Sequence, residues 1–450
     1  MENLTDILKH LDVNPTPEQK EALELTQKFV AKETKHDFMI IQGSAGTGKS
    51  TIIKAIAEYL NNTEINCVLA APTGKAAKVM KSKSGRIAKT VHSLIYIPEK
   101  QKNGLGIKWV RKSHKTDDYS IFIIDESSMI SDTINNSEEF IATKPLLTDL
   151  IEFVKEKNSE NKIIFIGDKY QLPPVKEEES PALSFNYLTN TKKLKGTIVE
   201  LTKVMRQNEN SSILNNATQI RHAISNGTLV PNLAINKIST QDKAVQLLID
   251  NYNFNDPSKV TAIAWINKNV NELNSKVREG LGFSNQKIKI NESLMLMKNI
   301  YTNNHVIMSG ELVKIIDIDQ EIEDYADLKF QNAKIEFNNS NGDKVYATIK
   351  ILTDTLSSLK GHISSEQEGK LLQESYKKNL TFRETQNPSD DEYVGALRPR
   401  YSYAVTCHKA QGGEWENVII HPYIPTKNLR WLYTAITRAS EEIYTFNNFR

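Results

Sequence analysis

Two rhythms of apolar residues alternate along the first half of the chain. Runs with no polar break occupy residues 38–41, 67–71, 121–124 and 163–166. After the first come Ile52, Ile53, Ile56, Ala57 and Leu60 at helical spacing. After the second, beyond Pro72, come Ala76, Ala77, Val79 and Met80. A run that is apolar at every position fits a strand covered on both faces, and such strands separated by helices form parallel sheets. The pattern predicts a doubly wound α/β domain.

Residues 96–117 break that rhythm. Gly104 and Gly106 punctuate a stretch carrying Ile95, Ile97, Ile107, Trp109 and Val110, which predicts a β-hairpin inserted between two strands. A second α/β lobe opens with residues 260–265 and a helix bearing Val270, Leu273 and Val277. It is interrupted over 285–395, where residues 311–318, 333–337 and 345–352 predict antiparallel strands, with Asn341 and Gly342 as a hairpin turn. A polar helical stretch follows at 363–385 and a linker at 386–391. The α/β pattern then resumes at 401–405 and 418–420.

Composition adds limits. A chain of 450 residues has room for roughly two to four domains, and 39% hydrophobic with 25% charged residues is ordinary for a globular protein. Two cysteines, Cys67 and Cys407, exclude a disulfide framework and point to a reducing compartment. The N-terminus lacks a signal-peptide core, and no run approaches the ~20 apolar residues of a membrane span. A soluble intracellular protein with no membrane partner is expected. The net charge of +2 implies no partner, but its distribution does. Lys75, Lys78, Lys81, Lys83, Arg86, Lys89, Lys100, Lys102, Lys108, Arg111, Lys112 and Lys115 are interrupted by one acid, Glu99. A basic strip on an otherwise acidic chain suits a polyanion held in one place, or a solvated lysine-rich loop.

Gly43, Ser44, Ala45, Gly46, Thr47, Gly48, Lys49 and Ser50 fit the phosphate-loop pattern G-x-x-x-x-G-K-[ST], with Thr51 next, between a strand and a helix. Glycines let backbone N–H groups turn inward around phosphates, and the following helix N-terminus adds positive potential. Lys49 would reach the β- and γ-phosphates and the Ser50 hydroxyl would hold Mg²⁺, so ATP or GTP binding is predicted. Asp125 and Glu126 end the most apolar strand, where one carboxylate can hold the metal and the other polarise the attacking water. Gln171, in the segment after Gly167 and Asp168, is positioned to contact that water and the γ-phosphate. Arg206 and Arg438 each lie beside an apolar segment, and a guanidinium offered to a transferring phosphoryl group stabilises its charge.

The order of these motifs carries more than any one of them. Gln19, the phosphate loop, residues 71–77 from Ala71 through Pro72 and Thr73, residues 90–93, Asp125-Glu126, residues 167–171, Arg206, residues 405–412 and Arg438 resemble the motif series of superfamily 1 helicases. The likeness is to the 5′→3′ branch that includes phage Dda and bacterial RecD-like enzymes. The resemblance implies two RecA-like doubly wound parallel-sheet motor lobes, with ATP in the cleft between them and a single strand crossing both. It implies that Gln19 reads adenine, that Arg206 and Arg438 act across the cleft, and that Gln411, Gly412 and Glu414 line the nucleotide. It makes the hairpin a strand-separating pin and the section 285–395 a small β-barrel with a helical protrusion. The pin tip, residues 102–106, carries no aromatic; Trp109 is the nearest candidate wedge, or else an anchor. The expected division is 1–95 and 118–225 for the first lobe, 96–117 for the pin, 226–284 and 396–450 for the second lobe, and 285–395 for the barrel.

By the same resemblance Pro72, Thr73, Thr90, His92, Thr406, His408 and Lys409 hold the nucleic-acid strand, joined by Lys75 and Lys78 of the basic run. Small hydroxyls and N–H donors suit phosphate contacts that position without reading sequence. His92 and His408 have an alternative reading as packing or capping residues. The expected protein is an ATP- and Mg²⁺-dependent helicase acting on single-stranded DNA and duplex junctions, as a monomer with replication or recombination partners. Two other readings stay open: an ATP-gated strand-binding subunit of a nuclease or replication complex, and an RNA translocase.

Overall fold

Each uninterrupted apolar run lies within a strand: Phe38–Gly43, Asn66–Ala71, Ser120–Ile124 and Lys162–Gly167. In the computed structural model they join Ala88–Thr90 and Gly196–Leu201 in one sheet. Its order is Ala88–Thr90, Asn66–Ala71, Ser120–Ile124, Lys162–Gly167, Phe38–Gly43, Gly196–Leu201, and every pairing is parallel. The structure describes residues 6–100, 107–114, 116–134, 143–204, 212–229, 232–283, 287–301, 306–339, 343–358, 362–424 and 428–447. The chain divides into two units, Met1–Glu99 with Lys108–Glu209, and Lys100–Ile107 with Asn210–Arg450.

The first unit explains why its strands are apolar throughout. Successive side chains point to opposite faces of a strand. Met39, Ile41, Ile121, Ile123, Ile164 and Ile166 pack on one face with Ile52, Ile56 and Leu60 of helix Lys49–Asn62. Phe38, Ile40, Phe122, Ile124, Ile163 and Phe165 pack on the other with Leu147, Leu150 and Phe153 of helix Leu146–Lys155. Gly196–Leu201 was not predicted because it pairs on one side only and its burial alternates, which shortens its apolar signal.

The inserted strands Tyr96–Lys100 and Ile107–Arg111 pair as a two-stranded sheet, while the turn between them, with the proposed tip, lies outside the described residues. The backbone of Trp109 is in the second strand; its side chain also lies outside them. The base of the insertion is fastened to helix Leu146–Lys155 and its end. Tyr96 Oη donates to Asp149 Oδ2 at 2.6 Å, and the Arg111 guanidinium lies 3.8 Å from Asp149, 3.8 Å from Glu152 and 3.5 Å from Glu156. The chain rejoins the first unit by Lys112, whose backbone N–H bonds to Ile95 O, so the expected boundary at 117 is several residues too late.

The second unit has a parallel sheet in the order Ala404–Thr406, Val260–Ala264, Trp415–Ile420, Ala439–Phe446, Asn236–Ile238. Helix Ser212–Asn226 packs on helix Leu429–Ile436 through a face that buries Ile213, Ala217 and Ile220. The break between units therefore falls near residue 210, not at 225 as expected. A second correction concerns residues 401–405, expected as one strand. Pro399–Tyr401 pairs antiparallel with Ser293–Leu296, whereas Ala404–Thr406 pairs parallel with Val260–Ala264. The inserted section thus runs past 395 and shares Tyr401 to Ala404 with the lobe. Asn274 holds that switch, donating to Tyr401 O at 3.2 Å and accepting from Ala404 N at 2.8 Å.

Within the insertion, Leu312–Ile318, Glu323–Tyr325, Leu328–Asn338 and Lys344–Leu352 extend the antiparallel sheet begun by Ser293–Leu296. Its outer strands meet through a bridge between Ile351 and Leu397, where Leu352 N bonds to Leu397 O at 2.9 Å. The expected turn at Asn341 and Gly342 lies outside the described residues, but the flanking strands pair up to Asn338 and Lys344. The polar helical stretch is two helices, Ser365–Lys378 and Leu380–Thr385, separated at Asn379, whose backbone N–H donates to Ser375 O to end the first and whose side chain accepts from Phe382 N to cap the second. A buried ion pair joins lobe and insertion: Arg278 Nε donates to Glu292 Oε1 at 2.7 Å, with both side chains at 1% exposure or less.

Candidate functional site

All strands of the first unit's sheet are parallel, so the segments following their C-terminal ends gather on one edge. The loop after Phe38–Gly43 turns into helix Lys49–Asn62 through Gly46 and Gly48 at φ +82° and +84°. Only glycine enters that region without strain. At Gly48 the space is closed as well, since a Cβ would meet Gln19 Nε2 at 2.4 Å. At Gly43 a Cβ would meet Thr47 Oγ1 at 2.5 Å. Thr47 is buried and donates to Ser44 O at 2.9 Å. Ala45 belongs to the same loop, Ser50 and Thr51 to the first helical turn. The Lys49 ammonium folds back along the loop, donating to Gly43 O at 2.7 Å and Ser44 O at 3.0 Å.

Gln19 is tied to this loop from helix Pro17–Val30. Its Oε1 accepts from Thr16 N at 3.0 Å in a capping box, and its Nε2 donates to Thr47 O at 3.0 Å. Gln19 is 3% exposed, so its amide braces the loop here. Reading adenine would exchange one of those bonds.

Asp125 and Glu126 follow strand Ser120–Ile124. Burial first, and the neighbouring Glu126 second, push the Asp125 carboxyl up to about 6, against the Glu126 N–H and the charges of Lys49 and Lys83. Glu126 sits at φ +48°, a left-handed conformation costing about 1–3 kcal/mol in a non-glycine residue. On the neighbouring strand, Asp168 accepts from Tyr170 N at 3.0 Å and shapes the turn to Gln171. Among the described residues Glu126 Oε2, Ser128 Oγ and Gln171 Oε1 are buried without a hydrogen-bond partner. Buried polar atoms left unsatisfied are costly, and these three belong to segments that follow the neighbouring strands Ser120–Ile124 and Lys162–Gly167.

Lys83 was expected only as one cation of the basic run. Its Nζ makes a long contact of 3.4 Å to Ser50 Oγ, and its charge acts on Asp125. No local sequence signal marks it; helix Gly74–Ser84 brings it there by packing on helix Lys49–Asn62.

The proposed strand track begins on the same sheet edge. Pro72 follows strand Asn66–Ala71, and Thr73 caps helix Gly74–Ser84, accepting from Ala76 N at 3.2 Å. Thr90 caps Val91–Ile95, accepting from Ser93 N at 3.1 Å. Both threonines therefore hold a helix start while keeping an O–H donor for phosphate. Burial lowers His92 to about 4, so it stays neutral at physiological pH. Lys75 and Lys78 lie half-buried on helix Gly74–Ser84.

In the second unit Thr406 precedes helix Cys407–Ala410, which carries His408 and Lys409. Burial lowers the pKa of His408, and burial followed by the charge of Arg400 lowers that of Lys409, whose Nζ donates to Ser309 Oγ at 3.0 Å. Gln411 is buried, Gly412 is at φ +73° and Glu414 is exposed. Arg438 is buried and turned onto its own unit, donating to Thr434 O and Gly413 O, each at 3.1 Å. Arg206 lies outside the described residues.

Among the described residues no three His, Cys, Asp or Glu gather into a metal cluster, and no helix is long and apolar enough to cross a membrane. Mg²⁺ in phosphate-loop sites takes one or two protein oxygens plus phosphates, so the hydroxyl and carboxylate of Ser50 and Asp125 are a fitting donor set.

Comparison with known proteins matches residues 15–242 to the AAA domain family and residues 401–444 to the UvrD-like helicase C-terminal domain. The chain is 26% identical to the ATP-dependent RecD2 DNA helicase of Deinococcus radiodurans, over 91% of this chain and 47% of that protein. It is 27% identical to the ATP-dependent DNA helicase Dda of Enterobacteria phage T4, over 67% of each. The chain thus spans about half the length of the RecD2 relative. Its fold is that of Pif1 structures. Bacteroides Pif1 bound to single-stranded DNA aligns with a TM-score of 0.52 at 18% identity, over 96% of this chain and 92% of that one. Pif1 helicase from Candida albicans aligns at 0.51 and 17%, over 97% and 94%.

Proposed function

The chain belongs to the superfamily 1 helicases of the Pif1, RecD and Dda type, and from that membership we propose that it is an ATP-dependent DNA helicase moving 5′→3′ on single-stranded DNA. The observation that carries this reading is the grouping, on one sheet edge, of the phosphate loop with Asp125, Glu126 and Gln171, where Glu126 Oε2 and Gln171 Oε1 have no hydrogen-bond partner among the described residues.

In this proposal the loop amides and Lys49 hold the phosphates, and Lys49 exchanges the Gly43 and Ser44 carbonyls for phosphate oxygens. Ser50 and Asp125 would hold Mg²⁺, which supplies charge neutralisation at the β- and γ-phosphates. Glu126 takes the proton of the attacking water, and Gln171 orients that water. Arg206 and Arg438 contribute the guanidinium charge, and Gln411, Gly412 and Glu414 contact the nucleotide. Thr73, Thr90, Lys75, Lys78, Thr406, His408 and Lys409 carry the strand by its phosphates. The inserted hairpin parts the duplex, and the antiparallel insertion, read as a small barrel bridged at Ile351 and Leu397 with its helical protrusion, supports that work. Single-stranded DNA is the favoured track, with a protein acting as a monomer.

The test is ATP-driven unwinding of duplexes bearing a 5′ or a 3′ single-stranded tail. Displacement from the 5′ tail alone is expected. Displacement from the 3′ tail alone overturns the direction and the roles given to both insertions. ATP-dependent strand binding without displacement from either tail overturns the helicase reading.

A further inference from the structure

The two segments that carry the hydrolytic groups are fastened to each other away from those groups. Glu126 Oε2 and Gln171 Oε1 have no hydrogen-bond partner among the described residues, so the placement of those atoms falls to the backbones that carry them. Glu126 is also strained at φ +48°, a conformation that persists only where surrounding structure holds it. The two backbones meet beside the end of strand Lys162–Gly167. A Cβ on Gly167 would lie 3.3 Å from Ser127 N and 3.2 Å from Ser128 N, and Ser180 Oγ donates to Ser127 O at 3.3 Å. Farther along, one carboxylate joins them. Glu177, six residues past Gln171, accepts at Oε1 from Ser131 Oγ at 2.6 Å, Asp132 N at 2.9 Å and Thr133 N at 3.1 Å. Ser131 stands five residues past Glu126. Those three donors share one oxygen, while Glu177 Oε2 is buried with no hydrogen-bond partner among the described residues. On its other side the same loop is held by the Asp132 carboxylate, which accepts from Thr148 Oγ1 at 2.8 Å and pairs with Lys192 at 2.5 Å.

We propose that Glu177 is a positioning residue for ATP hydrolysis, clamping the segment after Glu126 to the segment after Gln171 so that both side chains address one water. The inference rests on the roles given above to Glu126 and Gln171 and deepens that reading. A carboxylate bonded to N–H and O–H donors makes charge-assisted hydrogen bonds, which are stronger than neutral ones. Two of the three donors are backbone N–H groups, so the clamp fixes the path of the chain and not just a side chain. Glu177 heads a run of three acids, and the fold selects it: Glu178 and Glu179 are exposed, whereas Glu177 is half-buried against the loop. It lies beyond residues 167–171 of the motif series and touches no reacting atom.

The test is steady-state ATP hydrolysis by the full chain on saturating oligo(dT), with affinity for the non-hydrolysed analogue AMP-PNP measured on each variant. Glu177→Ala should lower kcat about ten- to hundredfold, the scale of a displacement of about 1 Å in a reacting group. AMP-PNP affinity should stay within about twofold, because the interaction lost serves the transition state and not binding. Glu177→Gln offers a carbonyl oxygen in the place of Oε1 and should recover most of the lost kcat. In a Glu126→Gln background, where the base is already gone, adding Glu177→Ala should cost less than about twofold more. Ser131→Ala removes one donor and spares the backbone bonds; it should lower kcat about two- to tenfold and serves if Glu177→Ala does not fold. Unchanged kcat in both Glu177→Ala and Ser131→Ala would overturn the proposal, as would full multiplication of the Glu177→Ala and Glu126→Gln losses. Parallel loss of kcat and AMP-PNP affinity, not recovered by Glu177→Gln, would make Glu177 a support of the whole unit and overturn it too. Normal hydrolysis by Glu126→Gln alone overturns the reading of Glu126 instead.

Discussion

Substituting Gly48 with alanine tests how tightly the phosphate loop is specified. Two separate costs meet at this position. The first is backbone: at φ +84° an added Cβ costs roughly 1–2 kcal/mol. The second is spatial, because that Cβ would lie 2.4 Å from Gln19 Nε2. Gln19 is buried, and moving its amide breaks the bonds to Thr47 O and Thr16 N, each worth about 0.5–1.5 kcal/mol net. Gly48→Ala should therefore cost about 2–5 kcal/mol, summing the two. In a Gln19→Ala background the spatial part vanishes, so Gly48→Ala should cost only its backbone share. The coupling between the two substitutions should be about 1–3 kcal/mol. Three of the four tryptophans, Trp265, Trp415 and Trp431, lie in the second unit, so intrinsic fluorescence is a poor reporter of this loop. Hydrogen exchange of the amides in helix Lys49–Asn62 reads the local opening directly. An equal cost of Gly48→Ala in both backgrounds would refute the packing of Gln19 on the loop.

Three further outcomes follow from other parts of the molecule. Glu126→Gln should keep ATP affinity within a few-fold while hydrolysis, followed by phosphate release, falls by about 10²–10⁴; near-normal turnover would remove Glu126 as the base. His92 has a folded-state pKa of about 4, below its ordinary 6.5, so the unfolded chain binds more protons between those values and stability falls as pH drops through that window. Urea unfolding should show wild type losing about 2 kcal/mol more than His92→Gln between pH 7 and pH 5, and equal losses would contradict a neutral, half-buried imidazole. Arg111→Ala frees the hairpin base from Asp149, Glu152 and Glu156, and should lower strand displacement several-fold while leaving DNA-stimulated ATPase activity near wild type; parallel loss of both activities would show that the anchor serves the first unit's stability instead.

The sequence by itself determined what rests on local rules. Apolar runs with no polar break marked the four central strands of the first unit, because a strand buried on both faces must be apolar at every position. The phosphate loop was legible because its glycines serve backbone geometry that no other residue meets. Edge and polar strands were not legible: Ala439–Phe446 carries Ser440, Glu441 and Glu442 on exposed positions, and its place is set by pairing with Trp415–Ile420. Tertiary structure alone divided residues 399–406 between two sheets, since Asn274 and the partner strands, not the apolar pattern, decide where the chain turns. It also separated the basic residues by role. Arg111 faces three carboxylates on the first unit, and Lys83 reaches the nucleotide site, although both belong to one run of charge. Charge is a property of the chain, whereas the partner of each charge is chosen by packing.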